Sequence, residues 1–218
     1  MKTAIFSLLS ILLFLSCSGG SPKNAADSQA DTQAPPVIYT AGYAYSGSLR
    51  VPALWKNNEP QPISRVSNAS GEAKSVFVSN GNVYASGYEA TGGTQYAALW
   101  INGSLYHLCT GGDANAGNSV FVQGGDTYVA VRMGGRAALW KNSSASTISS
   151  SVSDARGIYV SGSDVYIVGY IRNSQGRNVA TIWKNGAAQQ LPEVLGYQQT
   201  SSEANSVYVS GSDVYVAG

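Results

Sequence analysis

VYASGY (83–88) followed by ALW (98–100) is the pair of phrases whose return along the chain decides the fold. The first phrase comes back as VIYTAGY (37–43), TYVAV (127–131), VYIVGY (165–170) and VYVAG (214–218). The second comes back as ALW at 53–55 and 138–140 and as TIW at 181–183. Its tryptophans, Trp55, Trp100, Trp140 and Trp183, therefore recur every ~43 residues, a period that belongs to arrays of small β-units such as propellers.

Each unit reads as four short strands. An apolar run precedes the Val-Tyr phrase in SVFVSNGN (75–82), SVFVQGGD (119–126), GIYVSGSD (157–164) and SVYVSGSD (206–213). Each run ends in Gly, Asn or Asp, the residues that tolerate the positive φ of a tight hairpin. Two residues after each Trp stands an Asn: Asn57, Asn102, Asn142 and Asn185. Asn102-Gly103 and Asn185-Gly186 are strong hairpin signals. A weaker, polar fourth strand is expected over 61–66, 104–110, 145–150 and 188–194. In VYVAG, Val214 and Val216 point one way and Tyr215 and Ala217 the other, so both faces are apolar. A sheet buried on both faces fits stacked blades, and the four tryptophans are expected to be core residues.

The expectation is an all-β chain: a β-propeller of four-stranded blades over 37–218, with about four repeats visible. The order of apolar first strand, Gly-Asp turn, VYVAG strand and short third strand resembles the bacterial NHL and related SBBP-type β-propeller repeats. That resemblance implies scaffolding, binding or, less often, catalysis, and is more specific for fold than for function. Both ends of the repeat region fall on a Val-Tyr strand. This predicts a piece of a larger ring, the alternative being a small four-bladed ring whose last strand pairs irregularly.

The N-terminus reads as a processing signal. Met1 and Lys2 precede the apolar stretch 4–15, which is too short to span a bilayer. Phe14-Leu15-Ser16-Cys17 resembles the lipobox of bacterial lipoproteins. The resemblance implies removal of residues 1–16, lipidation of Cys17 and a membrane anchor there, with the outer membrane of a bacterial envelope as the expected location. An ordinary secretory signal cut near 18–20 is the alternative. Residues 17–36 carry the Cys and a tether rich in Ser, Gly, Ala, Gln, Asp and Pro that cannot bury a core. Cys109, the other cysteine, then has no partner for an internal disulfide and is expected as a small buried hydrophobe.

Charge excludes some functions. Only 11% of residues are charged, and 13 basic residues meet 12 acidic ones for a net charge of +1. That balance gives no reason to expect nucleic acid as a partner. Binding is expected on one loop face. Tyr43, Tyr88 and Tyr170 stand at strand ends there, with Arg132 in the tyrosine's place in the third copy. Arg50, Glu89, Arg136, Arg172 and Arg177 follow on the same loops, and Glu72, Asp113, Asp154, Glu193 and Glu203 come from the loops before the first strands. Tyr43, Tyr88, Tyr170, Arg132, Arg136, Arg172 and Arg177 are the candidate binding residues, for tyrosine offers flat apolar area with a hydrogen-bonding tip. Packing of the same tyrosines between blades is the structural alternative.

Nothing in the sequence assembles a catalytic set. His107 and Cys109, two apart, would share a strand face, but no third group orients them, and zinc needs three or four ligands. Asp126, Asp164 and Asp213, with Asn82, stand one per turn, which suits turn chemistry and falls short of a Ca²⁺ site. No cofactor or metal is expected. The function expected is that of a non-enzymatic envelope lipoprotein whose loop face binds a protein or glycan. The alternatives are an envelope-assembly scaffold, or a glycan lyase or hydrolase whose catalytic residues lie outside this chain.

Overall fold

A computed structural model describes residues 35–109, 115–192 and 200–218. Cys17, Asp113 and Glu193 lie outside the described residues. Every described element is a β-strand, and all belong to the unit Val37–Gly218.

The strands form five antiparallel meanders in chain order. Sheet 1 holds β1 (Tyr39–Ser46), β2 (Leu49–Lys56) and β3 (Glu59–Gln61). Sheet 2 holds β4 (Ser70–Ser79), β5 (Asn82–Thr91), β6 (Thr94–Ile101) and β7 (Ser104–His107). Sheet 3 holds β8 (Ala116–Gln123), β9 (Asp126–Met133), β10 (Arg136–Lys141) and β11 (Ser144–Thr147). Sheet 4 holds β12 (Ser153–Ser161), β13 (Asp164–Arg172), β14 (Asn178–Lys184) and β15 (Ala187–Gln190). Sheet 5 pairs β16 (Ser206–Ser210) with β17 (Asp213–Ala217). The four-stranded, all-antiparallel units are those expected from the repeat.

The first strand of each sheet packs on the sheet before it: β4 on β1 and β2, β8 on β4 and β5, β12 on β8 and β9, β16 on β12 and β13. The two repeated phrases explain this stacking. In β6, Ala98 and Trp100 turn toward sheet 1 and join Leu54, Ala73 and Ala85, while Ala97 and Leu99 turn toward sheet 3 and join Val120 and Val129. In β9, Val129 and Val131 face sheet 2, and Tyr128 and Ala130 face sheet 4. Alternation in the middle strands thus serves two cores at once, while the fourth strands β7, β11 and β15 are largely exposed. Trp100, Trp140 and Trp183 are buried as expected, and Trp55, in the first sheet, is half-buried.

The turn after each Trp is closed the same way four times. Asn57, Asn102, Asn142 and Asn185 adopt φ of 49°, 50°, 56° and 51°. Each accepts, on its side-chain oxygen, the backbone N–H of the residue that opens the neighbouring strand: Ile38, Val83, Thr127 and Val165, at 2.8–2.9 Å. The turn acids join this clip. Asn142 and Asn185 donate to Asp126 and Asp164, whose second oxygens take Lys141 at 2.8 Å and Lys184 at 2.7 Å. Lys141 and Asn142 hold the Asp126 carboxyl down to about 2, and Lys184 and Asn185 lower Asp164 in the same way.

Two features differ from the sequence expectation. The first strands of sheets 2–4 begin earlier than expected, and the fourth strands stop earlier, while β16 begins at Ser206 as expected. In β4, β8 and β12 the register slips between Ala73 and Ser75, Gly117 and Ser119, and Ala155 and Gly157. Each slip is a β-bulge, and it reverses the alternation on which strand reading depends. The fourth strands end at Gln61, His107, Thr147 and Gln190, after which Leu108 and Ile148 each donate one last backbone N–H to the third strand, to Ala97 and Ala137, and pack inward.

Candidate functional site

The bulges align. The residues they project are Lys74, Asn118 and Arg156, and Asn205 holds the same place ahead of β16. These side chains form a row across the stacked sheets. Lys74 Nζ donates to Asn118 Oδ1 at 3.0 Å. Asn118 Nδ2 donates to Asp154 Oδ1 at 3.0 Å and to the Ala155 carbonyl at 2.7 Å. Arg156 donates to Glu203 and, at 2.8 Å, to Asn205 Oδ1, and its Nε lies 3.5 Å from Asp154. Ahead of them Arg50 pairs with Glu72 at 2.6 Å.

The predicted tyrosines lie directly beside this row. Tyr88 pairs in register with Glu72, Arg132 with Ala116 and Tyr170 with Asp154. Tyr43 holds the same place in β1, opposite Pro52. A cation covers each ring: Arg50 over Tyr43 at 3.8 Å, Lys74 over Tyr88 at 5.9 Å and Arg156 over Tyr170 at 5.1 Å. Exposure falls along the series, from Tyr43 at 43% through half-buried Tyr88 to Tyr170 at 7%. Tyr43 and Tyr45 meet edge to face at 5.8 Å, and both are exposed.

The other predicted arginines are more scattered. Arg172 reaches the row at one remove, donating at 3.4 Å to Asn178, which donates to Glu203. Arg177 sits in a loop closed by Asn173, whose side chain accepts the Arg177 backbone N–H at 2.9 Å. Arg136 lines a separate shallow recess with Thr147, Ile148 and Ser149.

The third sheet departs from its neighbours at several linked positions. Gly87 and Gly169 pass so close to the first strand that a Cβ would overlap the carbonyl oxygens of Glu72 and Asp154. Sheet 3 places Val131 there, opposite Gly117, where the other sheets have Ala73 and Ala155. It also replaces acid with Ala116 and Tyr with Arg132. Arg132 consequently has no acid across the strand pair, and its Nε is buried without a hydrogen-bond partner.

A second cluster belongs to sheet 2 alone. Glu89, expected on an exposed loop, is 1% exposed. It accepts the Val66 N–H at 3.2 Å and lies 3.6 Å from His107 Nε2. His107 stacks on Tyr96 at 5.1 Å. Burial raises the Glu89 carboxyl above its ordinary range, against the pull of Val66, His107 and Arg65. Cys109 does not share this face: β7 ends at His107, and Cys109 packs with Val120 and Val131, where burial raises its thiol. Asp154 is likewise raised by burial, against Arg156, Arg132 and Lys74.

Sequence reading found the tyrosine row and Arg132 but not Lys74, Asn118, Arg156 and Asn205. Their signal was present: aligned on the Val-Tyr phrase, the four repeats put them in one column. The arrangement offers alternating donors and acceptors beside aromatic faces, which suits binding of a polyhydroxylated or charged ligand. Among known proteins, no family model matches the chain and no curated protein is similar to it.

Proposed function

We propose that the chain forms a β-propeller of four-stranded blades, lipid-anchored through Cys17 to the outer membrane of a bacterial envelope, and that its bulge-bearing face binds a glycan without catalysing its turnover. The single observation that carries the binding part is the row itself. Arg50–Glu72 and the chain from Lys74 to Asn205 set fixed donors and acceptors next to Tyr43 and Tyr88. Aromatic faces flanked by charged groups match sugar rings, which present C–H patches and hydroxyls together. The propeller reading is supported by the stacking of each first strand on the preceding sheet and by the short exposed fourth strands.

Two experiments separate the parts. The full chain is tested on an array of neutral and acidic glycans beside Tyr43→Ala, whose exposed ring can be removed without touching the core. The expected result is binding that Tyr43→Ala weakens about tenfold, the scale of one aromatic contact. Absence of any glycan binding sinks the proposal. The anchor is tested with globomycin, which should leave the uncleaved precursor; unchanged processing removes lipidation from the reading.

A further inference from the structure

We propose that Tyr45 is the stacking platform of the glycan face, and that Arg50 and Glu72 hold the sugar lying on it, an uncharged hexose unit presenting two adjacent hydroxyls. The proposal rests on the glycan reading above and adds a site residue and the charge class of the ligand.

The other repeats show what this hairpin needs. Tyr45 stands in register with Arg50 near the β1–β2 turn. The same cross-strand place holds Ala90 and Gln95 in sheet 2, and Arg172 and Asn178 in sheet 4. The fold therefore closes the hairpin without an aromatic ring there. Tyr45 is 68% exposed, the highest value of any large hydrophobic residue among those described. A single ring in water would need no explanation, but this one is paired and held. Tyr45 meets Tyr43 at 5.8 Å with the ring planes at 89°. The Arg50 guanidinium lies 3.8 Å over the Tyr43 ring, and its Nη2 is 2.6 Å from Glu72. In a perpendicular pair one ring gives its edge to the other, so Tyr45 keeps at least one open face whichever ring does so. That face stands beside Arg50, its cross-strand neighbour. Strands β1, β2 and β4 thus bring Tyr43, Tyr45, Arg50 and Glu72 together through direct contacts.

The charged pair selects the ligand. Both of its side chains are reachable from solvent, Arg50 at 36% and Glu72 at 23%. The guanidinium only donates and the carboxylate only accepts. Neighbouring sugar hydroxyls each donate and accept, so a diol fits a donor and an acceptor set side by side while its C–H face lies on Tyr45. A proline-rich strand also stacks on tyrosine, but its prolines lack the N–H that Glu72 would take. The opposite charges of Arg50 and Glu72 cancel at 2.6 Å. A uronate or sulfate would gain no net attraction there and would meet the Glu72 carboxylate.

The test is calorimetric titration of the full chain, at fixed ionic strength, with glucose, galactose and mannose tetramers, a galacturonate tetramer and a proline decamer. At least one neutral tetramer should bind, and more tightly than the galacturonate. Tyr45→Ala should weaken that binding about tenfold, the scale of one aromatic contact, and Tyr45→Phe should keep it. Glu72→Gln leaves Arg50 unbalanced and should shift preference toward galacturonate, a gain that misfolding cannot produce. Equal affinity in wild type and Tyr45→Ala overturns the platform and leaves glycan binding standing. Tighter binding of galacturonate by wild type, or an unchanged preference in Glu72→Gln, overturns the charge class in the same way. Failure of all the tetramers while other glycans bind on the array also overturns this site alone. Binding of the decamer with no glycan bound overturns the glycan in both proposals. Binding of no probe, with none on the array, overturns both.

Discussion

At Gly87 and Gly169 a missing side chain decides whether the first two strands of a sheet can pair. A methyl at either position enters the carbonyl oxygen of Glu72 or Asp154, which is backbone and cannot swing away. Gly169→Ala should therefore cost at least ~2 kcal/mol, the range of overpacking in a closed core, read as a lower urea midpoint with unchanged slope. Glu89 is the opposite case, a residue that weakens the fold it sits in. Its carboxyl is raised in the folded state, so folding binds a proton that the unfolded chain releases near its ordinary pKa. Stability should rise as pH falls from above the raised value toward the unfolded one, and the penalty should be fully present only above the raised value. Glu89→Gln keeps an acceptor for Val66 and removes the charge. It should melt higher than wild type at pH 7 and lose the gain on acidification; an equal or lower melting point at pH 7 contradicts the assignment. Neither residue was readable one at a time. Glycine in VYASGY resembles a strand end, and Glu89 resembles a loop charge, because burial arises only when the 64–69 segment folds over it.

Elements were more legible where chemistry is local. The Asn two residues after each Trp closes a hairpin by its own dihedral preference and its own side chain, so four turns could be placed from sequence. Asn142→Ala should cost about 1 kcal/mol or more, since it loses the bond to Thr127 N–H and strains a residue at φ 56°. Asn142→Gly restores the dihedral and should recover part of that loss; thermal melting of the three proteins checks the order. Asp126 reports the same clip electrostatically. Its pKa is lowered to about 2, so the contribution of its contacts is present above the unfolded value near ~3.9 and fades as pH falls through about 2. Carboxyl resonances in an NMR titration should show this midpoint in wild type and move it upward in Lys141→Met. The bulges were not legible, because an inserted residue breaks the two-residue period that identifies a strand. The polar row hid behind that break: Lys74, Asn118 and Arg156 sit where alternation fails.

Across the molecule, stability should follow how many faces each sheet has covered. Sheets 2 and 3 each lie between two apolar clusters, while β17 leaves Val214 and Tyr215 exposed. Amide exchange should be slowest in β5, β9 and β13 and fastest, among the strands, in β16 and β17. Uniform protection from β4 to β17 would contradict this. The first strands add a column of rings, Phe77 to Phe121 at 4.7 Å, Phe121 to Tyr159 at 4.8 Å and Tyr159 to Tyr208 at 5.3 Å, which ties sheets 2 to 5 together along one line.

The polar row has a direction. Arg50 reaches to Glu72, Lys74 to Asn118, Asn118 to Asp154 and Arg156 to Glu203, always from one sheet to the next in chain order. Sheets 2, 3 and 4 each receive at the back and give at the front. A gene segment encoding one such unit, copied in frame, inserts a module whose two sides already fit its neighbours, so repeat number is free to drift while each junction stays chemically complete. Chemical individuality of the face then becomes a matter of which copy diverges, and here the copy carrying Arg132 has gone furthest from the shared pattern.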